Sequence, residues 1–297
     1  MSRRAINAFG SIVIILIVGA LLAWAGSDGS NDLGPLPLFA WCAIVAFAIN
    51  AIAFIPSFLQ QTETFFDLTG SITYITVTIL AISFATDLDL RAGLVAAMVI
   101  LWAARLGSFL FRRIRADGKD GRFDKIKVHF PSLLMTWLLQ GLWVLLTAAA
   151  ALAIITRTER ESFGVFAVVG ALVWVIGFGI EVIADNQKSA FKADPANAGR
   201  FITTGLWSWS RHPNYFGEIT LWAGIAIMAI PVLSGWAWAT LISPFFVFFL
   251  LNFVSGVPML ERRSDKRWGD EPEYQAYKAA TSVLVPLPPR ASKVTAS

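Results

Sequence analysis

Cysteine occurs once in this chain, at Cys42 inside an apolar run, which excludes an internal disulfide framework and any multi-cysteine zinc or iron–sulfur site. Histidine occurs twice, at His129 and His212, so a histidine-rich metal site is not expected and no metal ligands are assigned. Charge is scarce as well: Asp, Glu, Lys and Arg make up 15% of the 297 residues, where a soluble domain carries about 25%. No GxGxxG follows a strand pattern, and neither a P-loop nor a GxSxG is present. A nucleotide cofactor would therefore have to be held by helices rather than by a doubly wound sheet.

What is abundant is apolar surface. The hydrophobic fraction is 56%, with 12 tryptophans and 23 phenylalanines, and the mean hydropathy is +0.64. Such a composition suits lipid-facing helices and interfacial aromatic belts better than a soluble core. The expectation is an all-α, polytopic transmembrane bundle of seven or eight helices in a single domain, 1–297. A span needs about 20 mostly apolar residues. The candidates are 9–25, 38–58, 69–85, 92–111, 133–155, 163–184, 216–230 and 235–257, with a tight turn expected at 231–234. The first run follows Arg3 and Arg4 and ends in Ala-Trp-Ala like a signal peptide, but it is longer than most signal cores and is read as a span.

Basic residues are distributed unevenly. Segment 112–129 carries Arg112, Arg113, Arg115, Lys119, Arg122, Lys125 and Lys127. Segment 185–213 carries Lys188, Lys192, Arg200 and Arg211, and Arg262, Arg263, Lys266 and Arg267 open the tail. Segment 27–36 has neither Lys nor Arg. Eight spans and the positive-inside rule then place both termini and all three basic segments in the cytoplasm. The sequence pI of 9.4 is explained by this pattern, and no nucleic-acid partner is expected. These charges could also gather an anionic, water-soluble cofactor on one face, or serve topology alone.

The most informative stretch is 200–218, RFITTGLWSWSRHPNYFGE, which packs ionisable groups against a run from 221 to 260 without one charge. Pro213 suits a first helical turn, so Arg211 and His212 fall just before a helix N-terminus able to receive a phosphate or carboxylate. Asn214, Tyr215 and Glu218 project from its first turns, Asn214 and Glu218 on one face. Glu181 and Asp185 are also four apart, and Lys188 joins their face if that helix continues. Arg105 lies inside another span. Charged groups at such depth are costly and usually functional, although a structural ion-pair network would also keep them there. Between the second and third spans, Glu63 and Asp67 stand beside Phe65 and Phe66. A carboxyl in apolar surroundings is more readily protonated and can act as a hydrogen-bond donor; two solvated loop acids are the other possibility. Tyr74, deeper in the third span, is a second candidate donor.

These residues carry a resemblance. GIEVIADNQKSAF (179–191), RFITTGLWSWSRHPNYFGE (200–218) and SGVPMLERRSDKRWGDEPEYQAYKAATSVLVPLPP (255–289) resemble the steroid 5α-reductase-like membrane proteins, particularly bacterial ones, over a C-terminal part, 179–290. The N-terminal half is similar only through QQTETFFDLTGS and WAARLGSFLFRR. The resemblance implies a bacterial inner-membrane protein that binds NADPH from the cytosol. It further implies reduction of a carbon–carbon double bond conjugated to a ketone in a hydrophobic small molecule such as a steroid-like lipid. It places Glu181, Asp185, Asn214 and Glu218 along NADPH, with Arg105 near it, and Glu63 on the substrate ketone. Trp102 stands in the neighbourhood of a tyrosine that the steroid-reducing members pair with that glutamate, which leaves Tyr74 as a candidate partner. Membrane lipid and isoprenylcysteine methyltransferases that use S-adenosylmethionine look similar around RHPNY, and they are the alternative.

Overall fold

A computed structural model describes residues 3–117, 121 and 123–289, and these are mostly helical, with two short strands. Among the described residues, eight helices are long and apolar enough to cross a membrane, from Arg3–Gly26 to Gly235–Trp268. The molecule fits an integral membrane protein, as lipid requires every backbone polar group to be satisfied within the helix itself. The described residues form two compact units, one of 1–168 with 226–243 and one of 169–225 with 244–297.

The first unit is built on helices α1 (Arg3–Gly26), α2 (Leu38–Gln60), α3 (Phe66–Phe84), α4 (Leu90–Asp117) and α5 (Phe130–Thr156). Helix α5 is its centre: 83% of its membrane-length window is buried, against 28% for α1. A helix that is hydrophobic all round belongs in a core, and its run of alanines at 148–151 lets neighbours approach closely. A two-residue hairpin, Asp32–Leu33 with Leu36–Pro37, links α1 to α2. Arginines close the end of α5. Arg160 donates to the carbonyls of Ile154 at 3.0 Å and Thr86 at 2.7 Å, and the buried Arg157 reaches Ser234 Oγ at 2.5 Å. Such donors satisfy carbonyls that a helix C-terminus leaves unpaired.

The second unit holds most of α6 (Val165–Ala193), most of α7 (Pro213–Ala229) and α8 (Ile242–Phe249). A single π-turn, Leu250–Val254, leads on to α9 (Val257–Trp268) and α10 (Pro272–Ala280). Helix α6 outruns its apolar stretch by nine residues, from 184 to 193, so Lys188 does lie on the same helix as Glu181 and Asp185. The expected turn at 231–234 is instead a 3-10 turn, Ile230–Val232, followed by a second 3-10 segment, Gly235–Leu241. Pro231 removes a helical donor there, and Gly235 takes a φ of 52°, which favours glycine.

Helices α6 and α7 meet through glycine. A Cβ on Gly217 would lie 2.6 Å from the backbone nitrogen of Glu181 and from the carbonyl of Gly177. One on Gly177 would lie 2.5 Å from Leu221 N. Seven residues further along α7, Gly224 meets the carbonyl of Gly170 in the same way. The two main chains touch, as small residues permit in membrane helices.

Candidate functional site

That contact sets up the polar cluster of the second unit. Glu181 is 2% exposed and Asp185 5%, and both lie on the part of α6 that packs on the first turns of α7. Pro213 opens α7, and one residue later Asn214 Nδ2 donates to Asp185 Oδ1 at 3.2 Å. Glu218, a turn beyond Asn214 on the same face, is partly buried. Lys188 holds its ammonium 4.4 Å from the centre of the Trp207 ring, and Trp207 is itself fixed by a 3.0 Å bond from Nε1 to the Ala184 carbonyl. Of the sequence candidates, Glu181, Asp185, Lys188, Asn214 and Glu218 thus gather around one pair of helix ends.

Arg211 and His212 are anchored from the C-terminal helices. His212 Nε2 lies 3.0 Å from Glu261 Oε1, and Arg211 Nη2 lies 3.2 Å from Glu261 Oε2. Lys278 stands 3.6 Å from the same carboxylate and 2.5 Å from Asp265, whose Oδ1 also accepts from Tyr274 at 3.0 Å. Arg211 Nη1 donates to the Lys278 carbonyl at 2.7 Å. The Tyr215 ring stacks on His212, centroids 5.5 Å apart and 8° from parallel. Burial lowers the pKa of His212, with Lys188 and Arg211 adding to the effect and Glu261 opposing it. His212 Nδ1 and Arg211 Nε are buried without a hydrogen-bond partner among the described residues. Orphan polar atoms of this kind suit a bound oxygen or nitrogen.

The sequence did not single out Glu261, Asp265 or Lys278. A signal for Glu261 was present: it is the first charge after the uncharged run, as Glu218 is the last before it.

In the first unit, Gln61 closes α2 with a φ of 52° and turns the chain sharply. Ser57 Oγ donates to the Thr62 carbonyl at 2.5 Å and accepts from Trp137 Nε1 at 3.2 Å, which fixes the bend. The Glu63 carbonyl then accepts from Phe66 N at 2.9 Å at the start of α3. Glu63 is 6% exposed, and its Oε2 lies 2.9 Å from Lys127 Nζ. Beside the bend is a cavity of about 260 Å³, lined by Ala53, Pro56, Ser57, Thr62, Phe65 and Trp137 among others. Asp67 lies 3.8 Å from the half-exposed Arg113. Lys119 and Arg122 of the same basic segment lie outside the described residues.

Tyr74 is buried with its ring nearly perpendicular to that of Trp102, centroids 5.1 Å apart. It lies eight residues into α3, so about 12 Å of helix rise separates it from the Phe66 end beside Glu63. Arg105, on α4, stacks its guanidinium over Phe109 at 5.3 Å.

Bundle and polar cluster together define a membrane-type helical protein with buried carboxylates where α6 packs on the start of α7. The chain belongs to the family described as protein of unknown function (DUF1295), whose model matches residues 53–281. Among curated relatives it is similar to a probable O-methyltransferase of Ustilaginoidea virens, 31% identical over 33% of this chain and 32% of that one. It is also similar to an uncharacterised protein of Schizosaccharomyces pombe, at 24% over 52% and 55%. A steroid 5-alpha-reductase of Gossypium hirsutum matches at 28% over 40% and 41%. The matches thus span between about a third and just over half of those relatives. No solved structure matches.

Proposed function

We propose that this protein reduces a carbon–carbon double bond conjugated to a ketone in a hydrophobic, steroid-like lipid, with NADPH as the hydride source. The observation that carries the reading is Glu63, a buried acidic residue paired with Lys127 at a bend whose neighbours Thr62 and Phe65 line a cavity. A carbonyl reduction needs a polar group at that kind of place, since charge develops on the ketone oxygen and a preorganised partner stabilises it most where water is excluded. Similarity to a steroid 5-alpha-reductase points the same way.

In this reading the second unit holds the cofactor. Glu181, Asp185 and Asn214 would meet hydroxyl and amide groups, with His212 Nδ1 as a further acceptor while Nε2–H faces Glu261. The α7 N-terminus with Arg211 and Lys188 would meet phosphate, a role that the orphan Arg211 Nε fits. Tyr215 and Glu218 would complete the wall. When bound, NADPH supplies the hydride, and the residues of the chain bind, orient and keep water away. With eight spans, both termini fall on one side of the membrane; the basic segments make that side the cytoplasm, where NADPH is available.

A methyltransferase using S-adenosylmethionine is the second reading, favoured by the 31% identity to a probable O-methyltransferase. Thermal shift of the purified protein separates the two. NADPH should raise the melting temperature and S-adenosylmethionine should not, by about 2.7 kcal/mol of added stability at a hundredfold excess over Kd. Stabilisation by S-adenosylmethionine alone would hand the protein to the second reading.

A further inference from the structure

We infer that Glu261 fixes the ring proton of His212 on Nε2, and that the bare Nδ1 thereby recognises a primary amino group of the bound cofactor. The inference rests on the reading that the second unit holds the cofactor. It applies to NADPH and S-adenosylmethionine alike, since both carry adenine.

Glu261 accepts from two sides. Its Oε1 lies 3.0 Å from His212 Nε2 and its Oε2 lies 3.2 Å from Arg211 Nη2, with Lys278 Nζ at 3.6 Å. Two cations at this range keep the carboxyl ionised at neutral pH, and an ionised carboxylate can only accept. The nitrogen that faces it must therefore carry a proton. Burial lowers the pKa of His212 and leaves its ring neutral at neutral pH. A neutral imidazole has a single ring proton, so Nδ1 has none. That atom is buried and has no hydrogen-bond partner among the described residues.

The surroundings hold the ring in place. Tyr215 stacks on it 8° from parallel, so the Nδ1 lone pair, which lies in the ring plane, is not covered by that contact. The His212 backbone N–H donates to Ser210 Oγ at 3.1 Å, and the Arg211 N–H to the Ser282 carbonyl at 2.8 Å. Main chain and side chain are both fixed.

A fixed tautomer discriminates only among certain ligands. A hydroxyl both donates and accepts, so it suits either state of the nitrogen. A carbonyl oxygen would meet Nδ1 lone pair to lone pair, whereas an amino group donates to it. The carboxylate at Nε2 therefore separates amino from oxo groups. In NADPH the amino groups are the exocyclic one of adenine, a donor beside the ring nitrogens, and that of the carboxamide.

The preference can be reversed by one atom. Arg211 and Lys278, on the Oε2 side, carry donors only. In Glu261→Gln the amide oxygen turns to them and the amide N–H2 faces His212 Nε2. That nitrogen must then accept, the ring proton moves to Nδ1, and Nδ1 becomes a donor suited to a carbonyl. Glu261 is thus a positioning residue that acts through His212.

Nitrogen-15 spectroscopy of the full-length protein in detergent, labelled on histidine, reads the tautomer without turnover. The chain has two histidines, so His129→Gln assigns the spectrum. At neutral pH, wild-type His212 should show a protonated Nε2 and a bare Nδ1, and Glu261→Gln should exchange them. A wild-type ring protonated on Nδ1 overturns the inference.

Calorimetric titration then tests recognition. Wild type should bind NADPH about tenfold more tightly than one of two analogues. Rejection of the hypoxanthine analogue assigns the amino group to adenine, and rejection of the acetylpyridine analogue assigns it to the carboxamide. Glu261→Gln should bind the rejected analogue at least as tightly as NADPH, whereas a merely structural role would weaken all three ligands alike. Should that variant fail to fold, the wild-type tautomer and the wild-type affinities carry the test. Equal affinity of the wild type for all three overturns the inference and leaves the reductase reading intact. Binding of S-adenosylmethionine without NADPH removes the reductase reading. Rejection of S-inosylhomocysteine relative to S-adenosylhomocysteine then upholds the inference, and equal affinity overturns it. Binding of neither cofactor overturns both.

Discussion

At the scale of single residues, His212 shows how burial and partnership compete. Its ring is 4% exposed, and loss of hydration lowers its pKa despite the carboxylate of Glu261 3.0 Å away. The consequence for stability has a definite sign. The unfolded chain takes up a proton near 6.5, while the folded chain resists until the pH is lower. Between those two values the unfolded state binds more protons, so stability falls as pH falls, and above about 6.5 the contribution is flat. Melting temperatures measured across this window should fall more steeply with acidification for wild type than for His212→Gln. Equal slopes would show that His212 does not titrate this way. The place of His212 just before a helix start was legible from the sequence, because Pro213 suits a first helical turn. Its partner was not, because 49 residues separate His212 from Glu261 and no local pattern bridges them. Glu63 and Lys127 repeat the case at a separation of 64.

At the scale of elements, hydropathy alone located the spans, since a helix in lipid must be apolar along most of its length. It misjudged where helices end. Helix α6 runs on through polar residues to Ala193, where its own hydrogen bonds need no apolar side chains. The eighth span begins as 3-10 helix and passes through a π-turn, which average hydropathy cannot register. The α6–α7 contact was written in the sequence as glycines seven apart, 170 with 177 and 217 with 224. That spacing returns to nearly the same helix face after two turns. It yields a clean comparison. Gly217→Ala forces a Cβ against backbone 2.6 Å away and should cost about 1–3 kcal/mol, with weaker NADPH binding as the helices part. A Cβ on Gly179, two residues from Gly177, meets nothing within 4 Å, so Gly179→Ala should leave both properties unchanged. Equal behaviour of the two variants in melting and cofactor titration would remove the contact as the support of the site.

At the scale of the whole molecule, the prediction concerns sidedness. In a Cys42→Ala background, single cysteines introduced at Lys192 and Asp270 should react with a membrane-impermeant maleimide only from the cytoplasmic side. One at Asp32, in the hairpin between α1 and α2, should react only from the other. Labelling of Lys192 and Asp32 from the same side would break the eight-span alternation. Composition carried the number of spans, because apolarity in a span is an average over many residues and tolerates local error. The division into two compact units was not legible, as all three boundaries along the chain fall inside continuous apolar helices.

Where α6 and α7 meet at Gly177 and Gly217, the gap is the thickness of two peptide groups, and no side-chain packing intervenes. Glu181 and Asn214 hang from those same stretches of main chain, so their separation is fixed by atomic radii. Rotamer changes, a different acyl-chain length around the protein, or drift among the outward-facing valines and isoleucines of α6 leave that dimension alone. Over evolutionary time the lipid-facing surface can therefore be rewritten to suit a new membrane without recalibrating the polar cluster. The freedom ends at the glycines, where even one methyl group alters the gauge.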